Sequence, residues 1–161
     1  MSETRDRVLD LVRSEPGVSK SEIARRLGIG WGTVGYHLHR LQKHRLLRIH
    51  DTGYRTLVVP SMHGEEAASV FAALREPVNQ DLLQSVHEAG DAGLMELADE
   101  HGLSRKVVRR RLGQLMQAGL LERQAGHRGR FMLQPRALRD LRQSMRRGEF
   151  GEELDFLHPR R

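Results

Sequence analysis

The sequence predicts a mainly α chain with small β-hairpins, an α+β class in which one small module occurs twice in tandem. Three observations point there. Apolar residues recur at i, i+3 or i+4 and i+7 in stretches about twelve residues long, the period of helices buried on one side. Each set of stretches ends in two short β-type runs split by a glycine-containing turn. The chain also matches itself without a gap from about residue 8 to residue 50 at an offset of 74. Leu9 meets Leu83, Val12 meets Val86, Glu22 meets Glu96, Ile23-Ala24 meets Leu97-Ala98 and Gly28-Ile29 meets Gly102-Leu103. In the same register Val34, Leu38, Leu41 and Leu46-Leu47 meet Val108, Leu112, Leu115 and Leu120-Leu121.

The elements of the first copy follow in order. A helix over about residues 4–14 carries Val8, Leu11 and Val12 on one face and ends at Pro16-Gly17. A short second helix opens at Ser19-Lys20-Ser21-Glu22, a capping box, and turns Ile23, Ala24 and Leu27 inward. Ala24 and Ala98 are small enough for two helices to cross closely, and Gly28 and Gly102 permit the sharp turn after each. A third helix runs over about residues 31–44, and residues 48–59 then read as strand, turn and strand around Asp51-Thr52-Gly53. Helix, helix, tight turn, helix and β-hairpin is a winged helix-turn-helix. The predicted fold is therefore two tandem winged helix-turn-helix domains, the first over 1–60 and the second over 78–135. A linker helix lies in 61–77, and a C-terminal helix with an acidic and apolar tail fills 136–161.

Charge is laid out in blocks within a net +6: +5 over residues 1–60, −8 over 61–103, +11 over 104–147 and −2 over 148–161. A face this basic is the electrostatic footprint of a phosphate polymer. Cysteine is absent, which excludes disulfides, thiolate metal sites and a cysteine nucleophile. No two of the nine histidines stand four apart on a helix, and neither a phosphate-binding glycine loop nor a G-x-S-x-G elbow occurs. We therefore expect no catalytic residues, no metal and no cofactor. The charged N-terminus and the lack of a long apolar run suggest a protein of the cytoplasm with no membrane partner.

The stretch EIARRLGIGWGTVGYHLHRLQKHRLLR, with Ala24, Gly28 and Val34, resembles the winged helix-turn-helix transcriptional regulators of bacteria and archaea, of the MarR/ArsR/Lrp kind. ELADEHGLSRKVVRRRLGQLMQAGLLER, with Ala98, Gly102 and Val108, resembles them a second time. The resemblance implies a prokaryotic, nucleoid-associated regulator whose partner is double-stranded DNA. Its third helices would enter the major groove and its wings would lie on flanking phosphates or the minor groove.

The candidate DNA-binding residues follow from the faces. Opposite Val34, Leu38 and Leu41 the first module offers Trp31, Thr33, Tyr36, His39 and Arg40, with Arg55 on its wing. Gly32 and Gly35 interrupt that helix at about 1 kcal/mol each, which suggests that Tyr36 and His39 lie flat over them and let a partner approach. In the second module Ser104 caps a helix from which Arg105, Lys106, Arg109 and Arg110 project, while Arg128 and Arg130 stand on the wing. Arg111 falls at the side of that helix, nearer a DNA backbone than the bases.

Two other functions fit the same residues: a winged-helix subunit that docks a protein on the Trp31/Tyr36 face, and an architectural protein that coats DNA without sequence choice. Two apolar stripes bear on assembly. Val70, Phe71 and Leu74 in the linker helix, and Leu138, Leu141 and Met145 near the C-terminus, would either pack on their own modules or form a homodimer. No small-molecule effector site is readable.

Overall fold

The computed structural model describes residues 2–51 and 56–158, without the side chain of Arg128. It divides into two compact units, residues 1–72 and 73–161.

In the first unit the elements run α1 (Glu3–Ser14), β1 (Val18–Ser19), α2 (Lys20–Leu27), α3 (Trp31–Lys43), β2 (Leu47–Asp51) and β3 (Thr56–Pro60). Ser2 caps α1, and Ser19 caps α2 by accepting from the Glu22 amide at 3.2 Å. Val8, Val12, Val18, Ile23, Ala24, Val34, Leu38, Leu41, Leu47 and Val58 form one buried cluster, so three helices and the sheet share a single core. The three strands pair antiparallel in the order β1-β3-β2, with Val18 opposite Val58 and Ile49 opposite Val58 on its other side. The two-residue strand β1 was not expected from the sequence, because two residues cannot display a period.

α4 (Glu65–Leu74) follows, and its N-terminal part belongs to the first unit. The Phe71 ring meets His63 edge-on at 4.9 Å, and a Cβ built on Gly17 would stand 2.8 Å from the Phe71 Cβ. Phe71 of the linker stripe is thus packed within the first unit, while Val70 is half-buried.

In the second unit the order repeats: α5 (Pro77–Ala89), β4 (Ala92–Gly93), α6 (Leu94–His101), α7 (Arg105–Gln117), β5 (Leu121–Gln124) and β6 (His127–Leu133). Its sheet order is β4-β6-β5, the counterpart of the first. Leu82, Leu83, Val86, Ala92, Leu97, Ala98, Val108, Leu112, Leu115 and Leu121 are buried. The helix-turn-helix corners coincide in detail. Gly28 lies at φ 64°, ψ 36° and Gly102 at φ 62°, ψ 34°, and the next amide donates back to the Ala24 or Ala98 carbonyl at 3.1 and 3.0 Å. Left-handed backbone of this kind is where glycine is least costly.

α8 (Pro135–Arg146) and a 3-10 helix (Glu152–Leu157) complete this unit. Leu141, Leu154 and Leu157 are buried, Arg142 Nε donates to the Leu157 carbonyl at 2.6 Å, and Phe156 faces His87 of α5 at 6.1 Å. The tail is thus docked through Leu154 and Leu157, and of the second apolar stripe Leu141 is buried while Leu138 and Met145 are half-buried.

Candidate nucleic-acid interface

Each third helix turns its core residues one way and a chemically distinct face the other. Because the two helices are in register at 74 residues, their outer faces can be compared position by position. Trp31, Gly32, Gly35 and Tyr36 of α3 stand where α7 has Arg105, Lys106, Arg109 and Arg110. One unit presents aromatics and glycine on the scaffold positions where the other presents four cations.

On α3, Trp31 is 57% and Tyr36 58% exposed, although aromatic side chains dominate cores elsewhere. Both are held by cations of their own unit. Lys20 Nζ sits 5.1 Å from the Trp31 ring centroid, and the Arg40 guanidinium lies 5.7 Å from that of Tyr36. His37, buried on the core side, meets the Tyr36 ring edge-on at 5.3 Å. Thr33 and His39 are exposed on the same helix.

The glycines differ from expectation. A Cβ on Gly35 would stand 2.9 Å from Lys20 Nζ, so the space over Gly35 belongs to Lys20 and not to His39. Around Gly32 a Cβ would meet nothing within 4 Å, so the Tyr36 ring does not cover it. Sequence reasoning missed Lys20 as part of this face. Gly35 was the available signal, since a gap in a helix face is filled by whatever neighbour can reach it.

On α7, Ser104 accepts from the Val107 amide at 3.2 Å, which leaves its hydroxyl hydrogen free to donate outward. Arg105, Lys106, Arg109 and Arg110 are exposed. Their charge is not taken up by an ion pair among the described residues. Arg111 behaves otherwise: it is half-buried, 3.7 Å from the Glu76 carboxylate and 3.4 Å from Gln114 Oε1, so its charge is engaged inside the unit.

The second wing needs a correction. Arg130 does not project as a free cation. Its Nη2 and Nε donate to Asp91 Oδ1 at 2.6 and 3.2 Å, and Nη1 pairs with Glu96. The hydrogen bond to Asp91 first, and that to Glu96 second, raise its pKa above the ordinary arginine value. Arg130 ties the wing strand to Asp91 before β4 and to Glu96 in the first turn of α6. Arg55 and the Arg128 side chain, the other expected wing contacts, lie outside the described residues.

Among the described residues no group of three histidine, aspartate or glutamate side chains could hold a metal, and no helix is long and apolar enough to cross a membrane.

Two helices joined by a tight turn, with a third behind them and an antiparallel hairpin beside them, define a winged helix-turn-helix unit. Residues 2–68 match a family model described as an N-terminal HTH domain, which spans α1 to β3 and the beginning of α4. The match supports a helix-turn-helix DNA-binding domain at that end of the sequence. No curated protein matches the chain.

Proposed function

We propose that the protein is a transcriptional regulator that binds double-stranded DNA through both units, and that its role is binding and not catalysis. The observation that carries this reading is the outer face of α7, where four exposed cations occupy the first two turns behind a serine cap. That is the segment which a helix-turn-helix lays against base edges and phosphates. The second unit supplies most of the phosphate neutralisation. The first, with fewer cations and two aromatics on the equivalent face, supplies sequence choice.

Selection of an enriched sequence from a random duplex pool, at near-physiological salt, tests this reading. A reproducible enriched motif supports a regulator. Binding that depends steeply on salt but enriches nothing points instead to an architectural coat on DNA. The exposure of Trp31 and Tyr36 favours one further alternative, a protein partner on α3. Absence of DNA binding at low salt would select it.

A further inference from the structure

We propose that Gly32 is a specificity-determining position of α3, where the absence of a side chain lets the C5 methyl group of a thymine in the major groove come against the helix backbone. This rests on the DNA-reading role given to α3 above.

The two glycines of this helix have different explanations. Gly35 has an internal one, because Lys20 fills the space a side chain would need. Gly32 has none. Its backbone is ordinary helix, and a Cβ there would enter open space, so neither φ nor crowding within the fold calls for glycine. Alanine would improve helix propensity at no steric cost. A glycine that the fold does not use, placed on a face that a partner meets, marks a close approach by that partner.

Its surroundings name the partner group. At 100° per residue Gly32 lies opposite Val34, Leu38 and Leu41, in line with Tyr36 and His39 and one step from Trp31. It sits in the first turn, where a reading helix comes nearest to base edges. With no side chain at Gly32, bare helix backbone is open on the same face that carries the exposed Trp31 and Tyr36 rings. Among the groups lining the major groove, the apolar one is the thymine methyl. The second unit has Lys106 at the equivalent position, a residue suited to phosphate or guanine whose side chain bars so close an approach. Gly113, whose Cβ site is also open, lies in the third turn of α7, away from the base edges.

The test uses the full chain, its Gly32→Ala variant and the duplex enriched from a random pool. Thymines of that duplex are replaced one at a time by deoxyuridine, which lacks only the methyl. One replacement should weaken wild type by about four-fold, the worth of one buried methyl group. Gly32→Ala should bind the parent duplex at least as much more weakly, show no further loss on that deoxyuridine duplex, and bind random DNA like wild type. Its thermal midpoint should equal or exceed that of wild type, which separates lost recognition from lost folding. A 5-methylcytosine at the sensitive position distinguishes the methyl contact from readout of thymine O4, and recovery of affinity with it supports the methyl contact. An enriched motif that no deoxyuridine weakens, or a Gly32→Ala variant with unchanged affinity for it, overturns the assignment of Gly32 while leaving the DNA-binding reading intact. Failure to enrich any motif overturns both.

Discussion

Lys20 Nζ stands 5.1 Å from the centroid of the Trp31 ring and reaches it across Gly35, where a Cβ would come within 2.9 Å of the ammonium. The first turn of α2 and the first turn of α3 are thereby joined by a cation over an aromatic face. An exposed pair of this kind contributes about 0.5–1 kcal/mol. Trp31 is the one tryptophan of the chain, so its emission reports on this site alone. Lys20→Met should change that emission while shifting stability by no more than about 1 kcal/mol, measured by denaturant titration. Gly35→Ala should reproduce the spectral change by displacing Lys20. Unchanged emission in both variants would show that the pair does not persist in solution.

Trp31→Ala and Tyr36→Ala should leave the fold intact. More than half of each side chain is exposed, and the buried cluster of the unit includes neither. Surface substitutions away from special features stay within about 0.5 kcal/mol, and loss of the ring contacts adds little to that. Binding to an enriched duplex should fall for both. Unfolding of both near room temperature would place the rings in the core and remove them from the reading face.

A contrast between the units gives a prediction about stability alone. The turn after α3 places Arg45 at φ 59°, and the same turn after α7 has Gly119 at φ 75°. The geometry matches otherwise, for the Leu46 amide donates to Leu41 at 3.0 Å and the Leu120 amide to Leu115 at 2.9 Å. A non-glycine residue in left-handed backbone costs on the order of 1–3 kcal/mol, and glycine returns part of the difference through a more flexible unfolded chain. Arg45→Gly should therefore stabilise the protein by up to about 1 kcal/mol and Gly119→Ala should destabilise it by a similar amount. Opposite signs in chemical denaturation are the expected result. Destabilisation by Arg45→Gly would mean that the arginine side chain contributes more than its backbone strain removes.

Arg130 shows why part of the interface was illegible in the sequence. Val34, Leu38 and Leu41, and their counterparts at 108, 112 and 115, declare a helix and its buried face because burial recurs every turn. The position-by-position repeat doubled that signal. A lone arginine in a glycine-rich turn carries no such period, and nothing local announces that Asp91 and Glu96, 39 and 34 residues earlier, will take its charge. The same limit hid Lys20 over Gly35 and the two-residue strands Val18–Ser19 and Ala92–Gly93, all of them products of tertiary approach. Leu154 and Leu157 could be seen as apolar, but not as the part of the tail that packs.

Arg130→Met tests the brace. It keeps the aliphatic stem and removes the charge, so amide hydrogen exchange in β6 should accelerate as the hairpin loosens. The salt dependence of DNA binding should stay as in wild type, since the arginine's charge is already matched by two carboxylates. A slope lowered by about 0.9 would instead identify Arg130 as a phosphate contact.

The division of labour between the reading helices is tested through salt. Arg109 and Arg110 are exposed and carry charge that no described carboxylate neutralises, whereas Arg40 leans on Tyr36, and Lys43 lies at the end of its helix. Each phosphate contact removed lowers the slope of log K against log salt by about 0.9. Arg109→Ala with Arg110→Ala should thus flatten the slope by roughly 1 to 2 units and weaken binding to specific and random duplexes alike, if both side chains reach phosphates. An arginine that reads a guanine would show a different signature, a loss of about 1–3 kcal/mol confined to one base pair. Arg40→Ala with Lys43→Ala should do less on either duplex. The decisive measurement is one salt titration of wild type and the two double variants on an enriched and a random duplex. If the Arg109/Arg110 variant keeps its slope and affinity while the Arg40/Lys43 variant loses both, the first unit and not the second is the electrostatic anchor.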